Sequence, residues 1–228
     1  MISLVALDIA GTTVDDGGSV YDALRECVEE TGASVAPVDL QTWMGADKVE
    51  AITHLLRIGG VESESAVVAS CFARFRDLVK ERYAAAPPVP VGGAVEAMVE
   101  LRRRGVKVAL TTGFSADVAG PLLEALGWSV GSAPDDTVDA VVTTDDVAAG
   151  RPAPYMIFHA MEATGVQDVR EVLAAGDTVV DIRAGRASGG LSVGVLTGKA
   201  DRATLEAEDH DYVLDAVADI PALAEIPR

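Results

Sequence analysis

Ile2-Ser3-Leu4-Val5-Ala6-Leu7-Asp8 runs straight into Ile9-Ala10-Gly11-Thr12-Thr13, and the reading of this stretch decides the fold. A short apolar run rich in branched side chains predicts a buried strand, and buried strands flanked by helices are usually parallel. The run stops on a carboxylate, Asp8, and the turn beyond it is made of small residues whose backbone amides can face a ligand. In open parallel sheets ligands bind beyond the carboxyl ends of the strands. A carboxylate in so apolar a surround is costly without a partner. A metal ion or a phosphoryl group is therefore expected beside Asp8, in preference to a simple turn-capping role.

Working outward, Asp15-Asp16-Gly17-Gly18 predicts a tight turn, read as a small hairpin or flap. From Ser19 to about Arg82 the period becomes helical. Val20, Ala23, Leu24, Cys27 and Val28 share one face, with Ser19 as the expected cap and Gly32 just past the end. Further helical patterns cover 38–44, 47–58 and 62–84, with no strand among them, and Ala86-Pro87-Pro88-Val89-Pro90-Val91-Gly92-Gly93 reads as a stiff linker. After it, helices (94–104, 115–126, 154–164, 178–187) alternate with strands (106–112, 140–143, 172–177, 191–196), and a last strand and helix follow Tyr212. Such alternation means right-handed crossovers and a parallel sheet. The prediction is a doubly wound, Rossmann-like α/β core of residues 1–14 and 91–228. A small all-helical cap, 15–90, is inserted after the first strand.

The 228 residues are 49% hydrophobic and 24% charged, a globular composition long enough to bury a real core. Thirty-six acidic against eighteen basic side chains give a net charge of −18, which repels nucleic acid and anionic membranes; neither is expected as a partner. An anionic small molecule would be accepted only where a divalent cation and nearby Lys or Arg reverse the sign. No apolar run reaches membrane-spanning length and no secretory leader is recognisable, so a cytoplasmic location is expected. Cys27 and Cys71 are far apart and match no metal-ligand spacing; they read as two packed thiols in a reducing compartment.

Each predicted core strand ends in polar residues of a particular kind. The first ends at Asp8, the next at Thr111-Thr112-Gly113, whose hydroxyls and amides suit a phosphate oxygen. Beyond the third lies Gly150-Arg151-Pro152-Ala153-Pro154, where prolines fix an arginine ahead of a helix start; its guanidinium can grip a phosphoryl group at two points. The fourth ends at Gly176-Asp177-Thr178-Val179-Val180-Asp181, two aspartates four apart at a strand-to-helix turn, suited to a hard cation such as Mg2+. Singly, these have plain explanations as strand-end threonines, a surface arginine, a helix cap and a solvated acid. At four successive strand ends they form a far more specific pattern.

Asp8-Ile9-Ala10-Gly11-Thr12, Thr111-Thr112, Arg151 and Gly176-Asp177-x-x-x-Asp181 resemble the four motifs of the haloacid dehalogenase superfamily of phosphotransferases. The resemblance spans the whole chain, the inserted helical cap included. It implies a Mg2+-dependent hydrolase of a small phosphorylated molecule, in which Asp8 attacks phosphorus to form an aspartyl-phosphate that water then hydrolyses. It places Gly11, Thr12, Thr111, Thr112, Gly113 and Arg151 around the transferring group. Mg2+ would be bound by Asp8, the carbonyl of Ala10 and Asp177, with Asp181 touching it directly or from one step outside. The physics agrees, because a carboxylate cannot approach an anionic phosphoryl group unless a cation and a guanidinium offset the repulsion.

Most phosphatases of that superfamily carry an aspartate two residues after the nucleophile, which protonates the leaving alkoxide. Here that position is Ala10. Alanine there resembles the phosphonatase (phosphonoacetaldehyde hydrolase) subfamily, which cleaves a carbon–phosphorus bond after a cap lysine forms an imine with the substrate aldehyde. Met44-Gly45-Ala46-Asp47-Lys48 is similar to its Met-Gly-x-x-Lys, which implies Met44 beside the substrate and Lys48 as the amine. Lys48 shares a helix face with Ala51, Ile52 and Leu55, and an apolar surround favours the neutral amine that imine formation needs. Thr111-Thr112-Gly113 before an aromatic and Gly150-Arg151-Pro152 also resemble phosphonatase. Two positions depart: Ala51 where that subfamily has histidine, and Phe114 where it has a tyrosine hydroxyl. His54, about 240° round the helix from Lys48, cannot simply stand in.

The substrate is accordingly expected to be a small phosphonate or phosphate ester. An ordinary phosphomonoesterase without imine chemistry is the nearest alternative, and a non-catalytic phosphate-ligand-binding protein is the alternative of another class. Trp43, Phe72 and Phe75 can pack within the cap or against a second copy, which leaves a homodimer through the cap open.

Overall fold

The computed structural model describes residues 1–228. Its strands are β1 (Leu4–Asp8), β2 (Val14–Asp15), β3 (Val89–Pro90), β4 (Lys107–Thr111), β5 (Ala140–Val142), β6 (Val172–Gly176), β7 (Leu191–Val195) and β8 (Tyr212–Leu214). Its α-helices are α1 (Ser19–Glu29), α2 (Pro37–Thr42), α3 (Lys48–Ile58), α4 (Ser65–Ala85), α5 (Ala94–Arg103), α6 (Ala116–Ala125), α7 (Tyr155–Thr164), α8 (Val179–Ser188) and α9 (Arg202–Glu206). The chain divides into an α/β unit, Met1–Asp15 with Val89–Arg228, and a helical unit, Asp16–Pro88.

In the α/β unit six strands form an all-parallel sheet in the order β5-β4-β1-β6-β7-β8. The chain builds outward from β1 to β4 and β5 on one side, then returns to lay β6, β7 and β8 on the other. That reversal beside β1 is the switch point at which open α/β sheets bind ligands. All five residues of β1 are buried, and its leucines and valine each contribute about 1.5–3 kcal/mol by leaving water. On one face of the sheet, Met156, Ile157 and Ala160 of α7 and Ala184 of α8 pack with Leu4, Ala109, Val142, Val172 and Ala174. Small strand residues such as Ala109 and Ala174 let these helices approach closely.

In the helical unit one apolar stripe per helix faces inward: Val20, Ala23, Leu24, Cys27 and Val28 of α1, Ala51, Ile52, Leu55 and Leu56 of α3, and Phe75, Leu78 and Val79 of α4. Pro37 opens α2 at a position where its missing N–H costs nothing.

Three local expectations change. Asp15-Asp16-Gly17-Gly18 is not a hairpin turn; β2 pairs instead with β3, Val14 opposite Pro90 and Asp15 opposite Val89, so the linker also contains a short strand. The turn starts α1: Ser19 is its first residue, Gly18 is the cap, and the Asp16 side chain takes up the free amides. The Asp16 carboxylate accepts the Gly18 and Val20 amides at 2.9 and 3.0 Å, with Gly18 in the left-handed region at φ 83°. The last helix is a 3-10 turn, Val217–Ala222, that holds Pro221, which cannot supply a helical N–H. The short helix α9 had no periodic signal in the sequence.

Candidate active site

Parallel register brings the predicted strand ends together. Asp8 stands opposite Thr111 of β4, and Leu7 opposite Ala175 of β6, so Asp8, Thr111-Thr112 and Gly176-Asp177 line one carboxyl edge on both sides of β1. Arg151 reaches the same edge from the segment after β5. Its Nη1 donates to Asp8 Oδ1 at 2.7 Å and to Asp181 Oδ1, and all three side chains are buried.

Local chemistry holds each acid in place. The other Asp181 oxygen, Oδ2, accepts from the Thr178 amide at 3.1 Å and from the Thr178 hydroxyl, the reciprocal box that starts α8. Asp177 Oδ1 accepts from the Thr12 hydroxyl at 3.1 Å. Thr13 gives its hydroxyl to the Asp8 carbonyl at 3.0 Å, tying the turn to the strand it leaves. Gly11 has φ 89°, and a Cβ there would lie 2.6 Å from Asp177 Oδ2, so only glycine suits the turn.

Three carboxyls and one guanidinium in a buried space leave negative charge uncompensated. Burial raises Asp8 to about 6 even though Arg151 pulls the other way. Burial, then repulsion from Asp8 and Asp181, holds Asp177 well above the usual carboxylate range. Burial would lower Arg151, but the attraction of Asp181 and Asp8 carries it above its ordinary value. Arg151 Nε is buried and has no acceptor. A void of about 10 Å3 beside it is lined by Thr111, Arg151, Asp181 and apolar side chains.

For a divalent cation the donor chemistry fits: hard carboxylate oxygens, surplus negative charge, and a glycine-lined approach to Asp177. Asp8, Asp177 and Asp181 share the buried space without forming a ready three-carboxylate ligand cluster. Both Asp181 oxygens are engaged, by Arg151 and by Thr178, so Asp8 and Asp177 are the carboxyls best placed to hold an ion.

The remaining sequence candidates are less uniform. Gly113 is buried in the turn after β4, and the Thr112 hydroxyl accepts the Phe114 amide at 3.1 Å. Thr12 is directed to Asp177 and Ala10 forms a bridge with Val14. Met44 and Lys48 belong to the helical unit. There Lys48 is the first residue of α3 and 3% exposed, and its Nζ donates to the Ala46 carbonyl at 2.8 Å. Asp47 caps α3 through the Glu50 amide at 2.8 Å, and Trp43, next to Met44, stacks on His54 with ring centroids 4.2 Å apart.

Sequence reading missed the loop after β7. The Thr197 hydroxyl donates to the Gly11 carbonyl at 2.6 Å, and a Cβ on Gly198 would lie 1.7 Å from Asp177 Oδ2. The signal was present as Thr197-Gly198 at a fifth strand end, but neither residue carries charge to draw attention to it.

Comparison with known proteins points the same way. The model of the haloacid dehalogenase-like hydrolase family matches residues 2–189. A phosphonoacetaldehyde hydrolase of Parabacteroides distasonis is 30% identical over 262 residues, covering 98% of this chain and 96% of that protein. One from Bacillus cereus is 29% identical over 221 residues, covering 91% and 80%. The crystal structure of a phosphonoacetaldehyde hydrolase-like protein from Oleispira antarctica superposes with a TM-score of 0.82 at 24% identity, covering 97% of this chain and 90% of that one, a likeness of fold. This chain belongs to the haloacid dehalogenase-like hydrolases.

Proposed function

We propose that this hydrolase cleaves the carbon–phosphorus bond of a phosphonoacetaldehyde-type substrate, with Asp8 as nucleophile and Lys48 as the imine-forming amine. The observation that carries this reading is the buried Asp8–Arg151 pair at the end of β1, with an alanine, Ala10, two residues on. Ester cleavage calls for an acid at that position to protonate the leaving oxygen; an imine that accepts the departing electron pair does not. The names of the relatives at 29–30% identity support the same choice.

In this mechanism Arg151 and the Thr111-Thr112-Gly113 turn bind and orient the phosphoryl oxygens, Arg151 exchanging part of its hold on Asp8 for the substrate. Lys48 condenses with the aldehyde and loses water, and Asp8 attacks phosphorus as the carbon–phosphorus electrons move into the imine. Hydrolysis of the aspartyl-phosphate and of the enamine's tautomer then returns phosphate and acetaldehyde. Mg2+, held by Asp8, Asp177 and the Ala10 carbonyl, would supply the charge neutralisation that lets Asp8 meet an anion. Lys48 is suited to its part by burial and by its place at a helix N-terminus, where the positive end of the dipole disfavours a cation.

The test is release of phosphate and acetaldehyde in equal amounts from phosphonoacetaldehyde with Mg2+, with Asp8→Asn as the blank. Borohydride should trap the substrate on Lys48, and Lys48→Arg should abolish release. A second reading, a phosphomonoesterase of small phosphate esters, is favoured by Ala51 and Phe114. Both are buried and neither can move a proton. It predicts ester turnover that survives Lys48→Arg.

A further inference from the structure

Forty-four residues separate Cys27 from Cys71, yet α1 and α4 bring them together inside the helical unit. Cys71 Sγ donates to the Cys27 carbonyl oxygen at 3.1 Å, Cys27 Sγ donates to the Leu24 carbonyl oxygen at 3.2 Å, and both thiols are free. Nearby, Glu30, just past the end of α1, and Arg74 of α4 form a two-point ion pair at 2.9 and 3.0 Å. Arg82 of α4 pairs with Glu26 further back along α1, so the two helices run antiparallel, and ion pairs beside the cysteines hold them together. Cys27 and Cys71 are 1% and 3% exposed, and both line a surface cleft of about 530 Å3, with Thr31, Ser70, Glu30 and Arg74. No residue of the proposed reaction takes part.

We propose that Cys27 and Cys71 are a peroxide-oxidisable dithiol that closes to an intramolecular disulfide, stapling α1 to α4. Hydrogen peroxide, small and neutral, enters from the cleft. The Cys71 thiolate attacks one peroxide oxygen, the O–O bond breaks, and hydroxide leaves as water after protonation, giving the sulfenic acid. Cys27 sulfur then attacks the Cys71 sulfur; the S–O bond breaks and the departing hydroxide takes the Cys27 proton. Two thiols and one peroxide give one disulfide and two waters. The order of attack follows the asymmetry of the pair: the neighbouring thiol pushes Cys27 up and holds Cys71 down. A dithiol reductant reverses the bond by exchange.

The experiment treats folded, fully reduced protein with hydrogen peroxide, then denatures and alkylates it before intact-mass and non-reducing peptide analysis. The expected result is a monomer lighter by two hydrogens, loss of both alkylation sites together, a Cys27–Cys71 linked peptide, and full recovery with dithiothreitol. Amide exchange in α1 and α4 should slow in the oxidised form. In Cys71→Ala, oxidation of Cys27 should be at least about tenfold slower. Two thiols that stay alkylatable, oxygen addition without a cross-link, or a cross-link between chains would each overturn the proposal. The wild-type mass decides it even if the variant fails to fold.

Discussion

Arg151 in the α/β unit and Lys48 in the helical unit are both buried basic side chains, 5% and 3% exposed, but their surroundings are of different kinds. Arg151 meets Asp8 across 143 residues of sequence and Asp181 across 30, and those acids in turn fix the turn after β1 and the start of α8. The Lys48 amine meets the Ala46 carbonyl two residues away, and its helix is capped by the neighbouring Asp47. In one unit a buried charge is a keystone between strands. In the other a basic side chain stands at the start of a helix that its own neighbour caps.

The largest break of this comparison is Asp8→Asn. Activity should fall by about 10⁴-fold or more while the fold survives, measured by phosphate release beside a circular dichroism melt. Retained turnover would remove Asp8 as the nucleophile. Next comes Arg151→Met, which leaves the carboxyls without their guanidinium. Losing one partner of a buried pair costs about 3–5 kcal/mol, and the lower end is expected because Asp8 and Asp177 can take up protons. Urea unfolding of both proteins measures it.

The pH dependence sharpens the same point in metal-free protein. Asp8 sits at about 6 when folded against 3.8 ordinarily, so the folded state binds more protons in that window. Its contribution is fully present below about pH 4 and is lost as pH rises through about 6, on the order of 3 kcal/mol. The difference in unfolding free energy between wild type and Asp8→Asn should fall across that window, and excess Mg2+ should flatten the slope.

Gly198→Ala tests the loop that sequence reading missed. Its Cβ would displace the Asp177 carboxylate, so an activity loss of about 10–100-fold at saturating substrate is expected, with a higher Mg2+ requirement. The smallest effect is Asp47→Ala in the helical unit, which removes one cap from α3 and should cost about 1 kcal/mol. A much larger loss would mean that the start of α3 is less local than its hydrogen bonds indicate.

Much of the core was legible because parallel strands announce themselves as apolar runs, and functional groups on such a sheet collect at the ends of those runs. Asp8, Thr111, Arg151 and Asp177 were readable for that reason. The β2–β3 pairing was not, since Val14-Asp15 and Val89-Pro90 are each too short to show a period and their partnership spans the whole helical unit. The turn at Asp16 was misread because Asp-Asp-Gly-Gly suits a hairpin and a helix cap equally well until the partner amides are known.

The sequence alone determined the order of the sheet's six strands and their main crossover helices and the chemical type of group at four strand ends, since periodicity and turn composition act over a few residues. Tertiary structure decided which of those groups touch. Arg151 lies between Asp8 and Asp181, Thr12 is turned to Asp177, Gly198 makes room for that carboxylate, and Cys27 meets Cys71. These contacts depend on sheet register and helix packing, which arise from burial summed over the whole chain and leave no mark in any one stretch of it.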